Sequence, residues 1–266
     1  MHTVRYKILH NKGQVLPGNL NPFFINRLTH TQKVESLARS VGGEIGLNTH
    51  QIETVAKGHD DSHYPFGHPP EDVIREEIEP DKNKYDFVID HNRQNVRYYT
   101  KTADHPKHYR SSNVTKFLLN DLDKHNNDLS MEGRMVDVCD QGTYRPHDTD
   151  EGLSIISPYT KQPMIDINEL KELSIISQID LESENIESEL KQWFRTHLMS
   201  TIRGKLHLVE RKPFEEVKRL SKEVVRLSDA DQEMFDELGE FLYEKYYYHP
   251  EAVSYTHLTL PTTPYV

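Results

Sequence analysis

Apolar residues recur every three to four positions through most of this chain, the spacing that gathers them on one face of a helix. Residues 1–28 are the exception, because Gly13, Pro17, Gly18 and Pro22 leave no room for a long helix. From Thr29 the helical period takes over, with Val34, Leu37, Ala38, Val41 and Ile45 on one face and Gly46 placed to stop it. Asn48 begins a second helix, with Gln51 as its capping-box partner and Ile52, Val55 and Ala56 inward. A polar-rich helix is predicted from Asp90 to Tyr99, a loop over 101–112, a short amphipathic helix from Val114 to Leu122 and a longer helix from Met131 to Tyr144. Pro146 is expected to kink that last helix rather than let it continue straight. After a proline-interrupted loop over 154–165, Asp166 starts a helix with Leu170 and Leu173 inward. Ile186, Leu190, Trp193, Phe194, His197, Leu198 and Ile202 mark a long amphipathic helix. Pro213 opens another, and Ser228 with Asp231 caps the last, which carries Phe235, Leu238, Phe241 and Leu242. No period-two pattern of any length is present, so the predicted fold class is all-α.

Charge changes the picture next. A formal net charge of −11 argues against nucleic acid as a partner, because phosphate contacts need clustered Lys and Arg. It leaves room for a small anionic substrate held through a metal and local basic groups. The single cysteine, Cys139, excludes an intrachain disulfide framework and fits a reducing compartment, so a cytoplasmic location is expected. No apolar run approaches the roughly 20 residues of a membrane span. Residues 253–266 carry no Asp, Glu, Lys or Arg, are rich in Thr and Pro, and resemble a translated sequencing adapter. That resemblance makes 1–252 the native part, one domain, and implies a truncated C-terminus.

Candidate chemistry concentrates in the stretch from Gly58 to Glu71, where His59, His63, His68, Asp60, Asp61 and Glu71 are punctuated by Gly and Pro. His30 precedes Val34 by one helical turn, and His59 continues the inner face of Ile52. Two inward histidines on consecutive helices, one followed by Asp60, favour a metal over hydrogen-bonded core residues. Val136, Asp140, Tyr144, His147 and Asp148 form a further stripe, reasonable for a pocket wall. His30, His59, Asp60 and Asp140, from three separate helices, are the best ligand candidates. Imidazole with carboxylate suits Mn, Fe, Co, Ni or Zn, and Mg less well.

Four ordered blocks now resemble a known family: Asn26-Arg27-Leu28-Thr29-His30-Thr31; Gly58-His59-Asp60 through Phe66-Gly67-His68 to Glu71; Asp90-His91-Asn92-Arg93-Gln94; and Val136-Asp137-Val138-Cys139-Asp140 through Tyr144 to Gly152 and Leu153. Over roughly residues 5–250 the chain resembles the HD-domain phosphohydrolases, and within them the dGTPase-like deoxynucleoside triphosphate triphosphohydrolases. The resemblance implies an all-helical enzyme, a homo-oligomer, that hydrolyses a dNTP to the deoxynucleoside and tripolyphosphate and is open to a nucleotide effector. It implies that His30, His59, Asp60 and Asp140 hold the metal, and that His63, His68, Glu71 and His91 face the α-phosphate and handle protons. Arg27 would contact phosphate, Tyr144 would exclude a 2′-hydroxyl, Asp148 would take the 3′-hydroxyl, and Gln14 would also read the sugar. The chain departs from the family at Asp61-Ser62, where a small apolar residue and Gly are usual, and at Gln141-Gly142-Thr143. Two other readings stay open: another HD hydrolase, acting on nucleoside monophosphates, alarmones or cyclic dinucleotides, and a catalytically weak nucleotide sensor on the same fold.

Overall fold

Asn26 sets the first long helix by accepting the Thr29 amide at 2.9 Å, which satisfies one of the orphan donors of a helix start. That helix, α2 (Arg27–Glu44), follows the short α1 (Val4–Ile8). The computed structural model describes residues 4–13, 25–62, 91–102, 114–124, 128–156, 160–181, 183 and 185–247. Gln14, His63, His68, Glu71 and the tail 253–266 therefore lie outside the described residues.

α2 ends where the sequence places its stop. Gly46 takes φ +80°, its amide bonds the Gly43 carbonyl at 3.2 Å, and the Leu47 amide bonds the Gly42 carbonyl at 2.9 Å. This is the paired closure of a helix C-terminus, which a left-handed glycine makes possible. Asn48 caps α3 (Thr49–Gly58) by accepting the His50 and Gln51 amides. The expected capping box is not formed. The Gln51 side chain donates instead to Asp121 Oδ2 at 2.6 Å and Ser130 Oγ at 3.2 Å, and the Asn48 amide bonds Glu132 Oε1. Gln51 thus ties α3 to the start of the central helix rather than closing its own first turn.

α4 (His91–Arg97) continues into a wider helical turn, Tyr98–Thr102. α5 (Lys116–Asp121), capped by Thr115, leads to the central helix α6 (Met131–Ser154), capped by Ser130. The short α7 (Ile167–Leu170), the long α8 (Ile186–Lys205), α9 (Phe214–Val224) and α10 (Asp229–Leu242), which is extended by the turn Tyr243–Tyr247, complete the order. The predicted all-α class is borne out. Among the described residues the only extended pairings are the isolated bridges Gly13–Asn26 and Ile156–Pro163. No helix among them is long and apolar enough to cross a membrane.

α6 is the axis of the molecule, packed by α2, α3, α8, α9 and α10. It does not stop near Tyr144; it runs unbroken through Pro146 to Ser154. Pro146 forgoes the bond to the Gly142 carbonyl. Burial on both sides outweighs that loss: Val136, Cys139, Gly142, Thr143, Pro146, Thr149 and Gly152 are all covered. The core they join includes Val34, Ile52, Met135, Phe194, Leu198 and Phe235. Gly142 has a packing reason, since a Cβ there would lie 2.1 Å from Phe194 Cε1 on α8.

Candidate metal centre

Three helices deliver the centre. His30 comes from the first turns of α2, His59 and Asp60 from the turn that ends α3, and Asp140 from α6. His30 and His59 are each 1% exposed and Asp60 is 5% exposed. One ligand atom from each of His30, His59 and Asp60 lies within 4.8 Å of the others. Asp140 closes the group: its Oδ1 is 2.9 Å from His30 Nε2 and 3.6 Å from His59 Nε2. His59 Nε2 is 3.7 Å from Asp60 Oδ1, and the two imidazoles meet edge to face with centroids 5.8 Å apart.

The tautomer of His59 follows from its neighbour. Its Nδ1 lies 2.6 Å from the Ala56 carbonyl, which can only accept, so the ring proton belongs on Nδ1. That leaves the Nε2 lone pair pointing among the carboxylates, buried and without a hydrogen-bond partner. A backbone carbonyl behind a ligating imidazole is the usual support of a metal-binding histidine. Donors bonded to one cation at about 2.0–2.2 Å stand about 3–4 Å from one another, and the separations around His59 Nε2 match. The N and O donor set and its geometry fit a divalent metal.

Two cations of the chain flank the donors. Arg27 donates to Asp60 Oδ2 at 2.8 Å, with the two side chains 3% and 7% exposed. Lys124 donates to Asp140 Oδ2 at 2.5 Å. Burial lowers His30, against the opposing pull of its Asp140 hydrogen bond, and so favours the neutral, ligating ring. Burial would lower His59 too, but the charges of Asp60 and Asp140 outweigh it and raise the ring. Burial would raise Asp140, but Lys124 and His59 hold it well below the usual carboxylate range.

The turn that presents His59 and Asp60 is pinned by residues that helical periodicity does not single out. Asn95 on α4 accepts the Ser62 amide at 2.8 Å through Oδ1 and donates through Nδ2 to the His59 carbonyl. Asp61, which the sequence leaves without a role, is fully buried and accepts the Tyr99 hydroxyl. It buttresses the turn from behind. His91 opens the helix that carries Asn95. Along α6, Tyr144 is raised by burial and lies within the electrostatic reach of Asp140 and Asp148. Asp148 is 1% exposed; its Oδ2 accepts the Tyr247 hydroxyl at 2.6 Å, and its Oδ1 has no hydrogen-bond partner. Tyr247 belongs to the turn beyond α10, and the sequence gives no hint of it beyond a run of tyrosines.

Comparison with known proteins finds relatives along most of the chain. The chain is 24% identical over 289 residues to a deoxyguanosinetriphosphate triphosphohydrolase-like protein of Cereibacter sphaeroides, covering 95% of this chain and 73% of that protein. It is 25% identical to the protein of the same name from Roseobacter denitrificans, with 95% and 72% covered. The chain is a homologue of the dGTPase-like proteins. A dGTPase-like protein of Leptospira interrogans is 26% identical over 279 residues, with 95% and 71% covered. No family model matches the chain. The dGTPase-like resemblance of the sequence blocks is thus borne out, across a span that includes α2, α3 and α6.

Proposed function

We propose that this dGTPase homologue hydrolyses a deoxynucleoside triphosphate to the deoxynucleoside and inorganic tripolyphosphate, using a divalent metal held by His30, His59, Asp60 and Asp140. The observation that carries this reading is the meeting of those four side chains from three helices, His30, His59 and Asp60 buried and Asp140 partly so. The kinship with deoxyguanosinetriphosphate triphosphohydrolase-like proteins suggests the substrate class.

A bound cation would polarise phosphoryl oxygens and offset the charge that develops on them. The rest falls to the chain. Water attacks the α-phosphorus, the bond from that phosphorus to O5′ breaks, and O5′ takes a proton to leave as the deoxynucleoside. O5′ is a poor leaving group, so the proton must come from a placed acid, and a histidine poised near neutral suits that task. The reading gives this work to His63, His68, Glu71 and His91. Arg27, with its bidentate fork, faces the phosphate edge of the centre. Tyr144 packs where a 2′-hydroxyl would sit. Asp148, already held by Tyr247, accepts the 3′-hydroxyl, and Gln14 also reads the sugar. In this reading residues 1–252 form one HD domain followed by a non-native tail, and the enzyme works as a homo-oligomer open to a nucleotide effector.

The test is incubation with Mn2+ and each dNTP and rNTP, with product identification. Tripolyphosphate and deoxynucleoside are expected in equal amounts from a dNTP, and neither from an rNTP. Pyrophosphate or orthophosphate as first product would point to another hydrolase of the fold. Nucleotide binding without turnover would make the chain a sensor. His59→Ala and Asp60→Ala are each expected to abolish turnover.

A further inference from the structure

The second half of α6 carries a titratable cluster of which the proposed function uses only Asp148. Glu151 lies four positions after His147 and three after Asp148, so it neighbours both on the helix surface. All three are buried, with His147 7% and Asp148 1% exposed. One ligand atom from each lies within 4.8 Å of the others.

Each group has one end committed and another aimed inward. His147 Nδ1 faces Glu187 Oε2 at 3.2 Å; a carboxylate only accepts, so the neutral ring keeps its proton on Nδ1 and its lone pair on Nε2. His147 Nε2 is 3.4 Å from Glu151 Oε2 without an aligned hydrogen bond. Asp148 Oδ2 is taken by Tyr247, and Asp148 Oδ1 has no partner. Asp148 Oδ1, on a side chain more than nine-tenths buried, therefore stays unpartnered beside the His147–Glu151 contact.

Glu187 is matched by Lys33 at 2.9 Å and by Lys191. Among the described residues no Lys or Arg forms an ion pair with Asp148 or Glu151. A buried imidazole facing two carboxylates, with no basic side chain paired to them, is a donor set of one nitrogen and two or more oxygens. That set suits a borderline divalent ion.

We propose that His147, Asp148 and Glu151 form a second divalent-cation site, separate from the centre around His59. At 1.5 Å of rise per residue, Asp148 lies about 12 Å along α6 from Asp140. Paired catalytic metals stand about 3.5–4 Å apart, so this cation does not act on the same phosphoryl group. It fixes the carboxylate of Asp148 between itself and Tyr247, and it joins α6 through His147 to Glu187 on α8. A 3′-hydroxyl on Asp148 would then share Oδ2 with Tyr247. The site stands on its own geometry, whatever becomes of that assignment.

The test counts Mn2+ on the full chain after gel filtration, by elemental analysis. Two equivalents are expected for the wild type, one for His59→Ala, one each for Glu151→Gln and His147→Gln, and none for His59→Ala combined with Glu151→Gln. Wild-type stoichiometry in both Glu151→Gln and His147→Gln would overturn the proposal. So would complete loss of Mn2+ in His59→Ala, a result that needs no variant in the cluster to fold. A wild type that binds a single equivalent, kept in His59→Ala and lost in Glu151→Gln, would sustain the second site while refuting the first.

Discussion

Asp61 and Tyr99 make the sharpest residue-scale statement, because a carboxylate adjoining the proposed ligand Asp60 is turned to a tyrosine from another helix. Tyr99→Phe removes a donor from a fully buried acceptor and is expected to lower unfolding free energy by roughly 1–3 kcal/mol, measured by urea denaturation. Asp121 offers a pH test away from the metal centre. Burial raises it, against the hydrogen bonds from Ser130 and Gln51. A carboxyl with a raised folded value contributes most stability below its unfolded pKa of about 3.9, and that contribution is lost as pH rises through the folded value. The wild type should therefore lose stability relative to Asp121→Asn as pH rises from about 3.9, in paired urea titrations; a difference independent of pH would refute the shift. His30, His59, Asp60 and Asp140 are legible in the sequence because they extend apolar helical faces, where an ionisable residue stands out. Asn95, Lys124 and Tyr247 are not, since each sits in a polar or tyrosine-rich segment and acts on a partner that no local spacing reveals.

At the scale of elements, α6 and α8 approach so closely at Gly142 that Phe194 occupies the space of a side chain. Gly142→Ala removes a poor helix former but overpacks the contact, and overpacking typically costs about 1–3 kcal/mol against a helix gain of about 1 kcal/mol. The variant is expected to be destabilised in urea, and Phe194→Leu in the same chain should recover part of the loss, a non-additive double-mutant cycle. A stable Gly142→Ala would mean that Phe194 moves freely. The caps at Asn48 and Ser228 and the glycine stop at Gly46 are readable because they depend on neighbours in sequence. The passage of α6 through Pro146 is not, because the local rule against an interior proline is outweighed by packing from α8 and α10.

For the whole molecule, the proposed metal joins the consecutive helices α2 and α3 to α6, which meets them in the fold but lies far along the chain. An ion that binds the folded chain alone stabilises it by mass action, by about 2.7 kcal/mol at a concentration 100 times its Kd. Mn2+ should therefore raise the melting temperature with increasing concentration. EDTA should reverse the rise, and His59→Ala combined with Glu151→Gln should abolish it. The link between Tyr247 and Asp148 adds a consequence in time. Synthesis delivers His30, His59 and Asp60 first, Asp140 and Asp148 later, and Tyr247 on the order of ten seconds after them at typical elongation rates. Until then α6 lacks the hydroxyl that satisfies Asp148 in the finished fold. Nascent chains stalled before Tyr247 should therefore leave that stretch of α6 open to protease, and it should become protected only once Tyr247 has emerged and docked.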